Sequence, residues 1–528
     1  MTTQFEMISG RLAGLALALL AACVLPLSPA KADPADIDAA ARGVVRIIVI
    51  EDQDGELYPL SHGTGFAVTP EKIVTNAHVI AEARGNRNIS IGIVPSDGGD
   101  AIYGRILDYS PRNDLALLAT TSPMNLPPLT IAGNASADSG QVTSVGYPMN
   151  VDRAQGLDNR EIFMPQPPVK SQGFLSGRRP TREFDTILHT APIARGSSGG
   201  PLLDTCGRVV GVNSFGTESS GTDSEFYFAV STRELLPFLR KNDIAPQVNG
   251  LPCRSLADVD AEERLRAERE MLAAQRQSEA ERSLQQQRES LARRSAEFEV
   301  ISERENGMML AFILLLAGLG GGYATWLARQ EEDQRKLRIA GGITALAIVG
   351  ALASWLMRPG FDTIEERVNE ALASKEEPDE GPSGVIEQAA DLALVCVVNV
   401  GRSRITGGSV DDVPLTWSDD GCVNGRTQYG LSDGRWTRIL VPNDEAAVSV
   451  ASFDPDSREY RVERYLLSRG EMDALREARG QYRAPECGAG EGAARELGSN
   501  QAILAAMLPA SPNERLVYDC APAEFPAE

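Results

Sequence analysis

Gly196-Ser197-Ser198-Gly199-Gly200, followed by the apolar Pro201-Leu202-Leu203, presents a serine between glycines just before a predicted strand. A nucleophile is offered to a peptide carbonyl in this way, because glycine tolerates positive φ and lets backbone amides turn toward the substrate oxygen. A serine hydroxyl is a weak nucleophile near neutral pH, so it also needs a base and a group that orients the base. We therefore predict that Ser198 is a nucleophile, served by a histidine and an acidic residue elsewhere in the chain.

Candidates for both partners precede the serine. His78 lies in Thr75-Asn76-Ala77-His78-Val79-Ile80, and Asp114 lies in Arg112-Asn113-Asp114-Leu115-Ala116-Leu117-Leu118. Both polar side chains stand at the edge of apolar runs, and the chain order is His, Asp, Ser. This order is one of three known for the Ser-His-Asp triad and is typical of proteases built from two β-barrels.

Four further segments, in the right order, resemble those of Deg/HtrA-type trypsin-like serine proteases: Gly63-Thr64-Gly65-Phe66, Ser144-Val145-Gly146-Tyr147-Pro148, Gly173-Phe174-Leu175-Ser176-Gly177 and Thr190-Ala191-Pro192-Ile193-Ala194-Arg195-Gly196. The resemblance covers residues 40 to 240. It implies an all-β domain of two six-stranded barrels and a serine endopeptidase that needs no metal and no cofactor. By the same resemblance His78 is the general base, Asp114 orients it, Ser198 is the nucleophile, and the amides of Gly196 and Ser198 form the oxyanion hole.

Two positions depart from the digestive trypsin pattern. Relatives that are activated by N-terminal cleavage place an aspartate directly before the nucleophile, where this chain has Ser197, so that mode of activation is not expected. The position six residues before Ser198 is Pro192 and not an acidic residue, which argues against a preference for Arg or Lys before the scissile bond. Ile193 predicts a small apolar pocket, and Ser214-Phe215-Gly216 is expected to offer backbone groups to an extended substrate.

The other two histidines, His62 and His189, are expected to have structural roles. With three histidines in the chain, neither belongs to a metal-ligand spacing, and no Cys/His pairing is typical of a zinc site. The sequence thus predicts no metal.

Length and charge limit the number of domains and the classes of partner that the chain can have. The chain has 528 residues and a formal net charge of −22. A barrel protease accounts for about two hundred residues, so at least one further domain is expected. The acidic balance argues against nucleic-acid binding, which requires basic surfaces.

The N-terminus has the pattern of an export signal over residues 1–32. Arg11 ends a short polar stretch, an apolar core runs from Leu12 to Leu25, and Ala30-Lys31-Ala32 has the small-x-small form of a cleavage site. Leu20-Ala21-Ala22-Cys23 matches a lipoprotein box and leaves lipidation of Cys23 as an alternative.

Two apolar segments, 308–328 and 339–357, are each about twenty residues long, without a charged side chain, and predict transmembrane helices. The loop between them, 329–338, is richer in Arg and Lys than the outer flanks, so the positive-inside rule places it in the cytoplasm. The protein would be a hairpin in the inner membrane with both large domains on the periplasmic side. The cluster Gly318 to Gly322 permits close helix packing, either within the hairpin or between copies.

The cysteines agree with an oxidising compartment. Apart from Cys23, two precede the predicted spans and four follow them: Cys206, Cys253, Cys396, Cys422, Cys487 and Cys520. None is placed as a nucleophile or metal ligand, and structural disulfides persist outside the cytoplasm. We predict a bridge between Cys206 and Cys253 and two bridges in the C-terminal region, where three connectivities remain open.

The resulting domain organisation is a signal peptide (1–32), a protease domain (33–245), a charged helical stalk or weak coiled coil (255–305), two spans with their loop, a membrane-proximal helix and acidic linker (359–384), and an α+β domain (385–528). In the last domain we predict strands at 392–400, 436–441, 447–453 and 459–467, and helices at 469–480 and 501–508. Nothing in the stalk region resembles a PDZ domain. Homo-oligomerisation through the stalk or spans is a further expectation.

These observations predict a membrane-tethered, extracytoplasmic serine endopeptidase that acts on polypeptides in envelope quality control or regulatory proteolysis. The alternative is a catalytically silent protease fold, whose C-terminal domain binds an envelope partner.

Overall fold

The structure is a computed structural model that describes residues 34–53, 55–133, 140–217, 225–330, 334–373, 392–408 and 410–523. The predicted signal peptide, the linker at 374–384 and the predicted start of the C-terminal domain lie outside these residues. Contacts divide the chain into two compact units, one formed by residues 1–263 with 388–528 and the other by residues 264–387.

The first unit opens with helix α1 (Pro34–Ala41), which precedes a closed six-stranded barrel. Its strands are β1 (Val44–Gln53), β2 (Glu56–Thr69), β3 (Lys72–Thr75), β4 (Ile89–Pro95), β5 (Ile102–Ser110) and β6 (Leu115–Thr120), paired in the order β1-β2-β3-β6-β5-β4 and closed between β4 and β1. Successive residues of β1 face opposite ways: Val45 and Ile47 fill this barrel, whereas Val44 packs in the core that both barrels share. The strand is therefore apolar on both faces.

A second ring of six strands follows. The strands are β8 (Gly140–Gly146), β9 (Val169–Arg178), β10 (Thr186–His189), β11 (Pro201–Leu203), β12 (Val209–Gly216) and β13 (Tyr227–Ser231), and pairing between β11 and β12 closes the ring. Two short strands, β7 (Ile131–Ala132) and β14 (Val248–Asn249), extend the β12 edge. Helices α2 (Met149–Gln155) and α3 (Thr232–Lys241) complete the domain. The predicted double-barrel fold is thus confirmed.

The second unit is mostly helical. Helix α4 (Leu256–Gln330) runs without a break through the predicted stalk and first span, and α5 (Gln334–Leu356) and α6 (Thr363–Ala373) follow. The described residues of the predicted loop, 329–330 and 334–338, are therefore helical, because Arg, Lys, Gln and Leu favour helix and these residues include no Pro or Gly. Both α4 and α5 contain stretches long and apolar enough to cross a membrane.

The glycine cluster lies where α4 and α5 pack together. A Cβ on Gly321 would come within 2.7 Å of Thr344 Oγ1, and one on Gly318 within 3.3 Å of Ile348. Of the two roles left open by the sequence, packing within the hairpin is the one that these contacts show.

The C-terminal domain is built on a nine-stranded antiparallel sheet, larger than the sequence predicted. The strands are β15 (Leu392–Val398), β16 (Val413–Trp417), β17 (Cys422–Val423), β18 (Thr427–Gln428), β19 (Gly430–Ser432), β20 (Arg435–Leu440), β21 (Ala447–Asp454), β22 (Glu459–Leu466) and β23 (Glu514–Pro522), in the order β18-β17-β16-β15-β23-β22-β21-β20-β19. Helix α7 (Arg469–Gly480) begins at a capping box formed by Ser468 and Glu471. Helix α8 (Glu491–Ala506) begins ten residues before the predicted start at Gln501.

All six described cysteines form disulfides. The predicted Cys206–Cys253 bridge ties the second barrel to the segment before α4. Cys396 and Cys520 face each other on β15 and β23 and are bonded, and Cys422 is bonded to Cys487. These pairs resolve the connectivity that the sequence left open.

The protease and C-terminal domains pack against each other within the first unit. The carboxylate of Asp36 on α1 is paired with the guanidinium of Arg404, and both side chains are almost fully buried. Nearby, Asn513 Nδ2 donates to Asp36 Oδ1 at 3.2 Å, and Asn249 Nδ2 donates to the carbonyl of Ile405 at 2.8 Å. The sequence did not predict this interface.

Candidate active site

His78 and Asp114 lie side by side at the edge of the first barrel. His78 begins a 3₁₀ turn just after β3, and Asp114 directly precedes β6, so the pairing of these two neighbouring strands brings them together. His78 Nδ1 is 3.0 Å and 2.9 Å from the two carboxylate oxygens of Asp114. Because the carboxylate only accepts, Nδ1 carries the hydrogen and Nε2 is left with its lone pair. The imidazole is thus held in the tautomer that a general base requires.

Asp114 is fixed by its own neighbours. Its backbone is left-handed, with φ 51°, a conformation that aspartate tolerates better than most residues. Asn76 Nδ2 donates to its carbonyl at 2.8 Å, and the backbone amide of His78 donates to Oδ1 at 3.1 Å. The hydroxyl of Ser214 donates to Oδ2. The carboxylate therefore cannot turn without breaking several hydrogen bonds.

Ser214 also contacts the predicted nucleophile. Ser198 Oγ donates to the carbonyl of Ser214 at 2.8 Å, so its single proton is directed at β12 and not at His78. The sequence assigned Ser214 only to the substrate-binding strand. The structure places its carbonyl at Ser198 and its hydroxyl at Asp114, a link that no sequence pattern marked.

The loop around Ser198 contains two glycines with a left-handed backbone. Gly196 and Gly199 have φ of 97° and 85°, which few residues other than glycine adopt. The amides of Ser197 and Gly199 donate to the carbonyls of Ala194 and Asn213. Within the described residues, no protein acceptor binds the amides of Gly196 and Ser198. Two free backbone donors beside a serine are what an oxyanion hole requires.

The predicted specificity residues differ in exposure. Ile193 is half-buried, Pro192 is exposed, and Phe215 is exposed on β12 with its ring stacked on Phe228 at 4.8 Å between centroids. An apolar surface thus accompanies the backbone of Ser214-Phe215-Gly216.

The two remaining histidines lie on strands: His189 on β10 of the second barrel, and His62 on β2 of the first barrel with its side chain mostly covered. His189 on β10 is fully buried, and burial lowers its pKa to about 4. His62 Nε2 lies 3.1 Å from the carbonyl oxygen of Tyr147 and 3.1 Å from Asp152 Oδ2. The described part of the chain contains no group of three or more His, Cys, Asp or Glu residues that could hold a metal ion.

Comparisons with known proteins agree with the double-barrel fold. Residues 63–212 match the family model of the trypsin-like peptidase domain. The chain is 30% identical over 188 residues to the serine protease Rv3671c of Mycobacterium tuberculosis, covering 34% of this chain and 41% of that protein. It is 29% identical over 214 residues to the mitochondrial serine protease HTRA2 of Bos taurus, covering 40% and 43% of the two chains.

A third relative has a different name. The anti-sigma-I factor RsgI9 of Acetivibrio thermocellus is 25% identical over 179 residues, covering 34% of this chain and 22% of that protein. The chain thus spans about two fifths or less of each of these three curated relatives. In agreement with the double-barrel fold, residues 63–212 thus match a trypsin-like peptidase domain, and this part of the chain is similar to a serine protease of the HtrA type.

Proposed function

We propose that this protein is a serine endopeptidase that hydrolyses polypeptides through an acyl-enzyme on Ser198. The observation that carries the proposal is the pairing of His78 Nδ1 with both oxygens of Asp114, which leaves Nε2 as the ring nitrogen that can act as a base. His78 is half-exposed, with 51% of its side chain accessible, whereas Asp114 is mostly covered. The base can therefore meet a substrate while its orienting group stays shielded.

Catalysis begins with rotation of the Ser198 hydroxyl from the carbonyl of Ser214 toward His78 Nε2. His78 takes the proton as Ser198 Oγ attacks the peptide carbonyl, and the amides of Gly196 and Ser198 hold the oxyanion. His78 then gives this proton to the leaving amine. Water, activated by the same imidazole, hydrolyses the ester and restores Ser198.

We further propose a preference for small apolar residues before the scissile bond. Ile193 and the exposed ring of Phe215 supply apolar surface, and Pro192 stands where an acidic side chain would be needed for Arg or Lys. Peptide libraries should yield fragments that end in Ala, Val or similar residues. A cleavage profile dominated by Lys and Arg would contradict this specificity.

The proposed location is the inner membrane, with the protease and C-terminal domains on the periplasmic side. The buried Asp36–Arg404 pair joins residues that precede the two apolar helices to residues that follow them, which requires an even number of membrane crossings between them. Disulfides on both sides of the helices favour an oxidising compartment. A cysteine in place of Gln334 should react with maleimide only after the membrane is opened, whereas labelling in intact cells would contradict the hairpin.

The activity is tested by a fluorophosphonate probe on the full chain in detergent. We expect the probe to label the wild type and not to label Ser198→Ala. Ser176→Ala, at an exposed serine of β9, is the matched control and should label like the wild type. Proteomics of cells that carry Ser198→Ala would then identify the envelope substrates.

A catalytically silent scaffold remains the second candidate. It is favoured by the Ser198 hydroxyl, which is bonded to Ser214 and not to His78, and by the similarity to a protein named as an anti-sigma factor. Absence of labelling in correctly folded wild type, with or without unfolded polypeptide present, would favour this candidate over the peptidase.

A further inference from the structure

A buried cluster of three polar side chains lies behind the loop that carries Gly196. Arg46 NH2 contacts Asp152 Oδ1 at 3.0 Å, and His62 Nε2 lies 3.1 Å from Asp152 Oδ2. The side chains of Arg46, His62 and Asp152 are 2%, 8% and 10% exposed. We infer that this cluster positions the oxyanion hole, by fixing the backbone that orients the Arg195–Gly196 peptide. The inference rests on the proposed peptidase function.

The cluster holds the turn from Tyr147 to Asp152. His62 Nε2 has the carbonyl oxygen of Tyr147 at 3.1 Å and Asp152 Oδ2 as its neighbours. Both are acceptors, so Nε2 carries a hydrogen. Arg46 also donates to the carbonyl of Ile162 at 2.9 Å, and its guanidinium stacks over the Tyr147 ring at 4.6 Å. Buried charges need partners, and Arg46 has two of them in Asp152 and Ile162, although Arg46 Nε and Asp152 Oδ2 form no hydrogen bond. The pairing ties the start of α2 to the first barrel.

Helix α2 then controls the peptide beside the nucleophile. Met149 is the first residue of α2, and its amide donates to the carbonyl of Arg195 at 2.7 Å. In a trans peptide the C=O and the following N–H point in opposite directions. With the Arg195 oxygen held toward Met149, the Gly196 N–H must point away from α2, into the predicted oxyanion hole. Rotation of this one peptide would remove the donor.

The contact at Gly196 is close. A Cβ there would lie 2.2 Å from the Tyr147 oxygen, 3.0 Å from His62 Nε2 and 3.1 Å from the Met149 nitrogen. Thr64 Oγ1 adds a hydrogen bond of 2.7 Å to the Gly196 carbonyl and accepts from the Tyr147 amide at 3.0 Å. Gly196 is thus held against the turn from Tyr147 to Met149 by Thr64 and by close packing on His62.

One backbone substitution tests the link directly. Met149 is the first residue of α2 and follows an extended Pro148, with φ −73° and ψ 124°, so Met149→Pro suits the helix while it removes the amide donor. Met149→Ala keeps the amide and controls for the side chain. In the full chain, we expect the rate of fluorophosphonate labelling and the kcat on fluorescein-casein to fall about 10²–10³-fold for Met149→Pro alone, with KM unchanged.

A pair of side-chain substitutions tests His62. His62→Gln carries an amide nitrogen near the position of Nε2 and should keep the bond to Tyr147, whereas His62→Asn is too short. We expect His62→Asn to lose labelling rate and kcat but not KM, and His62→Gln to restore most of the loss. A merely structural histidine would lower the melting temperature in both variants without separating kcat from KM.

The outcomes separate the inference from the function on which it rests. Labelling of Met149→Pro at the wild-type rate would overturn the positioning role but not the peptidase function. Equal labelling rates and equal kcat in His62→Asn and His62→Gln would do the same. An unlabelled wild type would overturn the peptidase, and the inference with it. If Met149→Pro does not fold, the comparison of His62→Asn with His62→Gln still tests the positioning role.

Discussion

Asp36 on α1 and Arg404 in the C-terminal domain form an ion pair that is almost completely buried, with side-chain exposures of 3% and 2%. Arg404 also donates from Nε to the carbonyl of Arg254 at 2.8 Å, just before α4. Its guanidinium therefore joins the helix before the first barrel, the segment after the second barrel and the C-terminal sheet. The two large domains behave structurally as one unit.

Loss of Arg404 alone should be costly. Arg404→Leu leaves the carboxylate of Asp36 buried without its cation, which we expect to lower the free energy of unfolding by about 3–5 kcal/mol. The double variant Asp36→Leu/Arg404→Leu removes both charges and should recover most of this loss. Denaturant unfolding of the full chain measures both.

The exposed Arg426 in the same domain supplies the control, since Arg426→Leu should leave stability nearly unchanged. A double variant as unstable as Arg404→Leu would mean that the remaining hydrogen bonds of Arg404, and not the charge pair, carry the interface.

Removal of the Ser214 hydroxyl should weaken catalysis without abolishing it. Ser214→Ala takes one donor from Asp114, while the bonds to His78 and the carbonyl that accepts from Ser198 remain. A hydrogen bond to a charged group contributes about 1.5–3 kcal/mol, so kcat/KM should fall roughly 10–100-fold.

Hydrolysis of fluorescein-casein measures the effect, and Thr217→Ala is the matched control because Thr217 is an exposed hydroxyl residue just beyond β12. An unchanged kcat/KM in Ser214→Ala would show that Asp114 is held well enough by its other partners.

The sequence predicted those features that depend on local pattern. The contexts of His78 and Asp114 marked two residues that the structure pairs, and the even number of cysteines on each side indicated Cys206–Cys253. Features that depend on distant pairing were missed. Asp36 and Arg404 are 368 positions apart, and nothing near either residue marks the other.

The same limit applied to the C-terminal disulfides. Cys396 and Cys520 meet because β15 pairs with β23. The order of strands in a sheet cannot be predicted from the sequence of either strand alone. From the sequence we expect only a structural role for His62. Its contact with Asp152 could not be predicted, because Asp152 lies on a short helix that no motif marks. The proximity of His62 to Gly196 depends on how the two barrels pack.

Burial of His189 should make stability depend on pH. The folded pKa is about 4, whereas the unfolded chain titrates near 6.5, because burial disfavours the charged ring. The contribution of the neutral ring to the unfolding free energy is therefore fully present above pH 6.5. It is lost as the pH falls toward 4, where the loss amounts to about 3 kcal/mol. His189→Phe removes the titrating group and keeps an aromatic ring beside Tyr227.

The measured quantity is the difference in unfolding free energy between wild type and His189→Phe at pH 7, 6, 5 and 4. The wild type should lose stability relative to the variant across this range. A constant difference would show that His189 is protonated as easily in the folded chain as in the unfolded one.

Two adjacent glycines of α4 should respond differently to the same substitution. A Cβ on Gly321 would lie 2.7 Å from Thr344 Oγ1, whereas one on Gly320 would meet nothing within 4 Å. Gly321→Val should therefore force α5 away and destabilise the hairpin by about 1–3 kcal/mol, while Gly320→Val should leave it intact. Hydrogen exchange followed by mass spectrometry should show faster exchange of the α5 amides around Thr344 only in Gly321→Val.

The particle mass in detergent tests the other role of the cluster, which is contact between copies. We expect Gly320→Val to leave this mass unchanged. A lower mass would show that the open face of α4 is a contact between copies, so that the cluster would serve assembly as well as the hairpin.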